Sequence, residues 1–128
     1  MRQTLPLLAL FLGLGGPGIA QAQSSSERSF CNGEIGVSAS ARGRSDAQGN
    51  YVEYYAFVSR SSAEAMPRSF TIGFVPPAGV QARPPSRIEL GPHGRQPVIL
   101  GTERRPGGSI TPGIPRGEIV NHVQVTCG

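Results

Sequence analysis

The sequence predicts an all-β protein, an immunoglobulin-like two-sheet sandwich of about six or seven short antiparallel strands, with a small β-barrel as the alternative. Three observations carry this expectation. Apolar and polar residues alternate with a period of two over several separate segments, as half-buried strands require. Beyond residue 22 the chain holds nine Val and seven Ile against two Leu, a β-branched bias that suits pleated surfaces. Gly and Pro, 18 and 12 of the 128 residues, bound those segments at the spacing of strands joined by turns.

The first element is not part of the fold. Arg2 supplies a positive start, residues 5–14 an apolar stretch, and Ala20-Gln21-Ala22 a small-x-small cleavage site, the pattern of a secretory signal peptide over 1–22. Gly13, Gly15, Gly16, Pro17 and Gly18 break the apolar run well short of the ~20 residues that span a bilayer, so no membrane span is expected after cleavage. The expected mature chain is 128 − 22 = 106 residues, room for one domain over 31–128. Residues 23–30, with Ser24, Ser25, Ser26, Glu27 and Arg28, show no apolar periodicity and read as a flexible tail.

The domain then unfolds strand by strand. Cys31, Gly33, Ile35, Val37, Ala39 and Ala41 alternate with polar or small residues and predict a strand over 31–42. Residues 42–50 carry Gly43, Ser45, Asp46, Gly49 and Asn50 and read as a hairpin loop. Residues 51–59 are apolar on both parities, Val52, Tyr54, Ala56 and Val58 on one and Tyr51, Tyr55 and Phe57 on the other, which marks a central strand. Phe70, Ile72 and Phe74 predict a strand ended by Pro76-Pro77. Short strands follow around 87–90, with Ile88 and Leu90 inward, and around 98–101. The last is expected over 118–127, with Ile119, Val123, Val125 and Cys127 on one parity and His122 on the other.

Only two cysteines exist, and an exported chain meets an oxidising compartment, so Cys31 and Cys127 are expected to form one disulfide. Both share the parity of their strands' apolar residues. The expected arrangement therefore lays the first and last strands side by side, antiparallel, with both sulfurs in the core. No C-x-x-C spacing supports a redox or zinc role.

The chemistry-bearing inventory is short. Asp46 is the only aspartate, the glutamates are scattered, and no Ser stands in a nucleophile motif. His93, in a Gly-Pro-His-Gly loop, and His122 offer no metal-ligand spacing, so no catalytic residue, metal or cofactor is expected. The alternative is a small periplasmic hydrolase or metal-dependent enzyme using His93 or His122. The formal charge is +4, carried by 12 Arg with no Lys, which falls to 11 Arg against 8 acidic residues without the leader. These arginines are dispersed along the chain, so a nucleic-acid surface is not expected; their exclusive use points to a GC-rich bacterial genome.

What remains is recognition. Tyr51, Tyr55 and Phe57 share one parity of the central strand, and aromatic residues with Arg are the types enriched at interface hot spots. The competing expectation is that this parity forms a second buried layer. Residues 102–117, the longest irregular stretch, contain Arg104, Arg105 and Arg116 among Gly and Pro, and such loops are either functional or mobile. The expected function is an exported, non-enzymatic bacterial module, periplasmic or secreted, that engages a protein or envelope component through a strand edge or the 102–117 loop.

Overall fold

In the computed structural model, which describes residues 27–128, eight strands form two antiparallel sheets. The strands are β1 (Glu27–Phe30), β2 (Ile35–Asp46), β3 (Gly49–Arg60), β4 (Arg68–Phe74), β5 (Gln81–Ala82), β6 (Ser86–Leu90), β7 (Arg95–Glu103) and β8 (Val123–Cys127). One sheet has the order β1-β2-β3-β7-β5 and the other β6-β4-β8. The expected leader and residues 23–26 of the expected tail lie outside the described residues.

The two-sheet sandwich is the predicted architecture, and the sheets share no ladder, which separates it from a closed barrel. Its core is built by period-two alternation: Ile35, Val37, Ala39 and Ala41 from β2, Val52, Tyr54, Ala56 and Val58 from β3, and Phe70, Ile72 and Phe74 from β4. Ile88 and Leu90 of β6 join them as expected, with Val98 and Leu100 of β7. Burying each such aliphatic or aromatic side chain contributes roughly 1.5–3 kcal/mol. Strands β1 to β3 are a simple meander. After β3 no two consecutive strands share a sheet, whereas an immunoglobulin domain keeps two later hairpin pairs within its sheets.

Four local expectations are corrected. The strand expected from residue 31 starts only at Ile35, because Cys31, Asn32 and Gly33 take φ values of 57°, 58° and 84° and reverse the chain. Asn-Gly favours this left-handed geometry. The reversal lays Glu27–Phe30, expected in the flexible tail, along β2 from Glu27 opposite Ser38 to Phe30 opposite Ile35. The loop expected over 42–50 is paired almost throughout, down to Asp46 opposite Gly49. Its polar residues face water because this hairpin projects past the core, and only residues 47–48 make the turn.

The last strand is also shorter than expected. Arg116–His122 is a 3-10 segment that buries the adjacent residues Ile119 and Val120, which a strand with one wet face cannot do. His122 therefore belongs to this segment, not to β8. No residue pattern signals β5, a two-residue strand held beside β7 where Gly101 leaves room: a Cβ there would stand 2.5 Å from the Gln81 carbonyl oxygen.

Cys31 and Cys127 are bonded, with Cα atoms 5.7 Å apart and a sequence separation of 96. The strands around them are not neighbours. Cys31 lies in the β1–β2 turn, and β8 pairs with β4, so the bond joins one sheet to the other at the rim of the sandwich, where Cys31 is half-buried and Cys127 exposed. The second tie at this end is Arg60, 4% exposed, whose Nε donates to Glu34 Oε2 at 2.8 Å and whose Nη1 donates to the carbonyls of Met66 and Leu90 at 2.8 and 3.1 Å. Replacing both cysteines with serine should lower the unfolding free energy by about 2–5 kcal/mol in urea titrations of the oxidised protein and its variant. Equal stability would mean the bond constrains nothing.

Candidate interaction surface

Strand β3 lies between β2 and β7, so its alternate residues necessarily line two different faces. Val52, Tyr54, Ala56 and Val58 go inward. Tyr51, Glu53, Tyr55 and Phe57 go outward, and no element among the described residues covers that outer face; Phe57 is 49% exposed, Tyr51 and Tyr55 are half-buried and Glu53 is buried. Among the described residues the second buried layer does not form, because the smaller sheet packs on the opposite side.

The outer face has a defined order. Phe57 stands between Ser38 of β2 and Pro97 of β7, and Tyr55 between Ser40 and Ile99. The two rings meet edge to face with centroids 5.7 Å apart, a geometry favoured by the ring quadrupole. The Arg42 guanidinium lies 4.6 Å from the Tyr55 ring centroid while its Nε donates to Glu53 Oε1 at 2.7 Å. Arg104 lies 5.0 Å from the Tyr51 centroid and pairs with Asp46. The Gln48 N–H and then Arg104 hold the Asp46 carboxyl below the usual carboxylate range. Cation–π contacts of this exposed kind contribute about 0.5–1 kcal/mol each.

Residues 104–117 form a strap fastened across the end of the sandwich. Its anchor is Tyr54, wholly buried, whose hydroxyl donates to Glu103 Oε1 at 2.6 Å and accepts the Ile114 N–H at 3.2 Å. Gly113 N–H also donates to Glu103 Oε1, at 3.0 Å, and Ile114 is buried. Gly43 lets Ile110 settle on the β2–β3 hairpin, since a Cβ there would come within 2.8 Å of Ile110 Cδ1. Sequence placed Tyr54 among core residues without a polar role. The available signal was chemical: a tyrosine on an inward parity needs a partner for its hydroxyl.

The three arginines proposed as one recognition loop do not come together. Arg104 joins the Tyr51 end of the outer face, and Arg105 lies 3.7 Å from Glu103 beneath the strap. Arg116 donates to Ser40 Oγ at 3.3 Å and to the Ala41 carbonyl, on β2 beyond Ser38, where the described pairing with β1 ends. Each is held by partners within the chain.

His93 is exposed in a turn at φ 52°, and His122 Nδ1 lies 3.0 Å from the Val75 carbonyl with its ring against Phe74. Among the described residues neither has a carboxylate or hydroxyl partner, no group of three or more His, Cys, Asp or Glu converges, and no cleft opens. No helix among them is long and apolar enough to cross a membrane. No protein-family model, characterised protein or solved structure matches the chain.

Burial and then the Glu103 hydrogen bond push the Tyr54 hydroxyl up to about 12. Because the folded value lies above the ordinary value of 10.0, this contribution to stability is whole below pH 10 and is lost as pH rises toward 12. Tyr54→Phe should cost about 1–3 kcal/mol at neutral pH by leaving Glu103 and the Ile114 N–H short of a partner. Urea unfolding at pH 8 and pH 11 checks both points, since the variant should lack the part of the alkaline loss that Tyr54 causes.

Proposed function

We propose that this chain is an exported, non-enzymatic β-sandwich of the bacterial envelope that binds a protein partner through the outer face of its five-stranded sheet, centred on Tyr55 and Phe57. The observation that carries the proposal is the placement of the edge-to-face aromatic pair on the solvent side of β3, held from both sides by paired strands. A rigid platform loses little entropy on binding, and aromatic anchors commonly supply most of an interface's free energy. Ser38 and Ser40 on one flank and Pro97 and Ile99 on the other keep the surroundings low, so a partner can reach both rings. The 102–117 loop is the weaker candidate, because its arginines already have partners.

Export rests on the leader pattern, and the Cys31–Cys127 bond is consistent with an oxidising compartment. A photo-cross-linking amino acid at position 57, in cells that export the protein, should give one discrete adduct, and the same group at position 75 should give none. The Tyr55→Ala/Phe57→Ala variant should lower affinity for the identified partner about 30-fold or more while changing unfolding stability by no more than about 1 kcal/mol. Absence of an adduct at position 57, or wild-type affinity of the double variant, would reject the outer face as the binding surface.

A further inference from the structure

The smaller sheet has three strands against five in the larger. Strand β8 is its edge, and the bonds Val75 N–H to the His122 carbonyl, 2.8 Å, and Gly128 N–H to the Ser69 carbonyl, 3.3 Å, fix which way the β8 backbone faces. Both join residues in register with the β4–β8 ladder, so residues 122, 124, 126 and 128 turn their polar groups toward β4. Val123, Val125 and Cys127 turn theirs away. The Val123 N–H is taken by the Val120 carbonyl. Among the described residues, the N–H groups of Val125 and Cys127 and the carbonyls of all three have no partner.

The other edges are guarded and this one is not. β5 is two residues long, β6 carries Arg87 and Glu89 and follows Pro84-Pro85, and β1 carries Arg28 at an inward position. Residues 123–127 read Val-Gln-Val-Thr-Cys, without charge or proline. Across the sandwich from this edge, the inner face of β1 is only partly covered among the described residues: Phe30 packs against the core but is only partly buried, and Arg28, opposite the wholly buried Val37, is exposed.

The geometry points to a vacant strand position beside β8 and above β1 that receives an extended segment of a partner protein, with apolar residues toward Phe30 and Val125 and a carboxylate toward Arg28. Strand addition would pair the free groups of Val125 and Cys127. An acidic residue is the complement because no carboxylate pairs with Arg28 among the described residues. A second copy fits poorly: its β8, Val-Gln-Val-Thr-Cys, offered as the added strand brings no carboxylate to Arg28.

The test uses the exported, 15N-labelled protein and the blocked peptide Thr-Glu-Thr-Val-Thr-Val-Thr. Saturating peptide should slow amide exchange at Val125 and Cys127 about tenfold or more. The peptide with Lys in place of Glu should need at least about a fivefold higher concentration, and Arg28→Glu should reverse that preference. Tyr55→Ala/Phe57→Ala should leave the response unchanged, so failure of the outer-face reading and failure of this one are distinguishable. No slowing at millimolar peptide overturns the proposal. So does protection of both amides without peptide: at the mass of one chain residues before Glu27 occupy the position, and at the mass of two chains a second copy does.

Discussion

The Arg60 guanidinium holds together the end of the sandwich where the chain first leaves one sheet for the other. It closes β3, sits between the sheets, and satisfies Glu34 at the entry to β2, the Met66 carbonyl on the crossing connection and the Leu90 carbonyl at the end of β6. A buried charge of this kind contributes modest net stability when complete, but leaving it without its carboxylate is expected to cost about 3–5 kcal/mol. Glu34 also faces Arg68 at 3.4 Å, and its own N–H donates to the Cys31 carbonyl at 3.1 Å. Glu34 therefore faces two arginines with its carboxylate and closes, through its backbone N–H, the turn that presents the disulfide. Every connection after β3 crosses between sheets, so tight hairpins cannot set the relative position of the layers. This rim does so instead, by ion pair and covalent bond together.

The opposite end is closed by different chemistry. Tyr54 and Glu103 anchor the strap from inside, and Arg116 holds it from outside at the Ala41 carbonyl. With both ends fastened, two regions have no internal partner among the described residues: the outer face of β3 and the outer edge of β8. The first is flat, aromatic and rigid. The second offers backbone groups and little side-chain identity. On the two proposals, recognition would be divided between side-chain contact on a face and main-chain pairing along an edge.

Much of this was legible in the residues. The sandwich, the cysteine pairing, the central position of residues 51–59 and the inward sets Phe70/Ile72/Phe74 and Ile88/Leu90 all follow from period-two alternation and composition. The errors share one cause, which is that alternation ignores backbone conformation. Cys31 and Gly33 have the parity of Ile35, yet Asn32-Gly33 is a turn signal and outweighs two more matches to a strand pattern. Ile119 and Val120 are adjacent and both buried, a pattern no strand with one wet face can show. For the surface, parity grouped Tyr51, Tyr55 and Phe57 correctly, but which parity faced water depended on where the smaller sheet lay. Arg104, Arg105 and Arg116 are close in sequence and apart in space because the strap turns between them.

The same spatial accounting limits what the positive charge can do. Glu34 is matched to Arg60 and Arg68, Asp46 to Arg104, Glu53 to Arg42 and Arg44, and Glu103 to Arg105. The arginines left without a carboxylate among the described residues are Arg28 on β1, Arg83 after β5, Arg87 on β6, Arg95 on β7 and Arg116, whose donors go to Ser40 and Ala41. They stand on separate elements in both sheets. Charges dispersed in this way are screened from one another at physiological ionic strength, over about 8 Å, and do not build the field that steers an acidic partner from a distance. A partner of the kind proposed would instead be selected at contact, by the Tyr55–Phe57 pair or by backbone pairing at β8, with Arg28 as a single local charge. Binding at either surface should then depend only weakly on salt, which separates this molecule from proteins whose basic charge is itself the binding device.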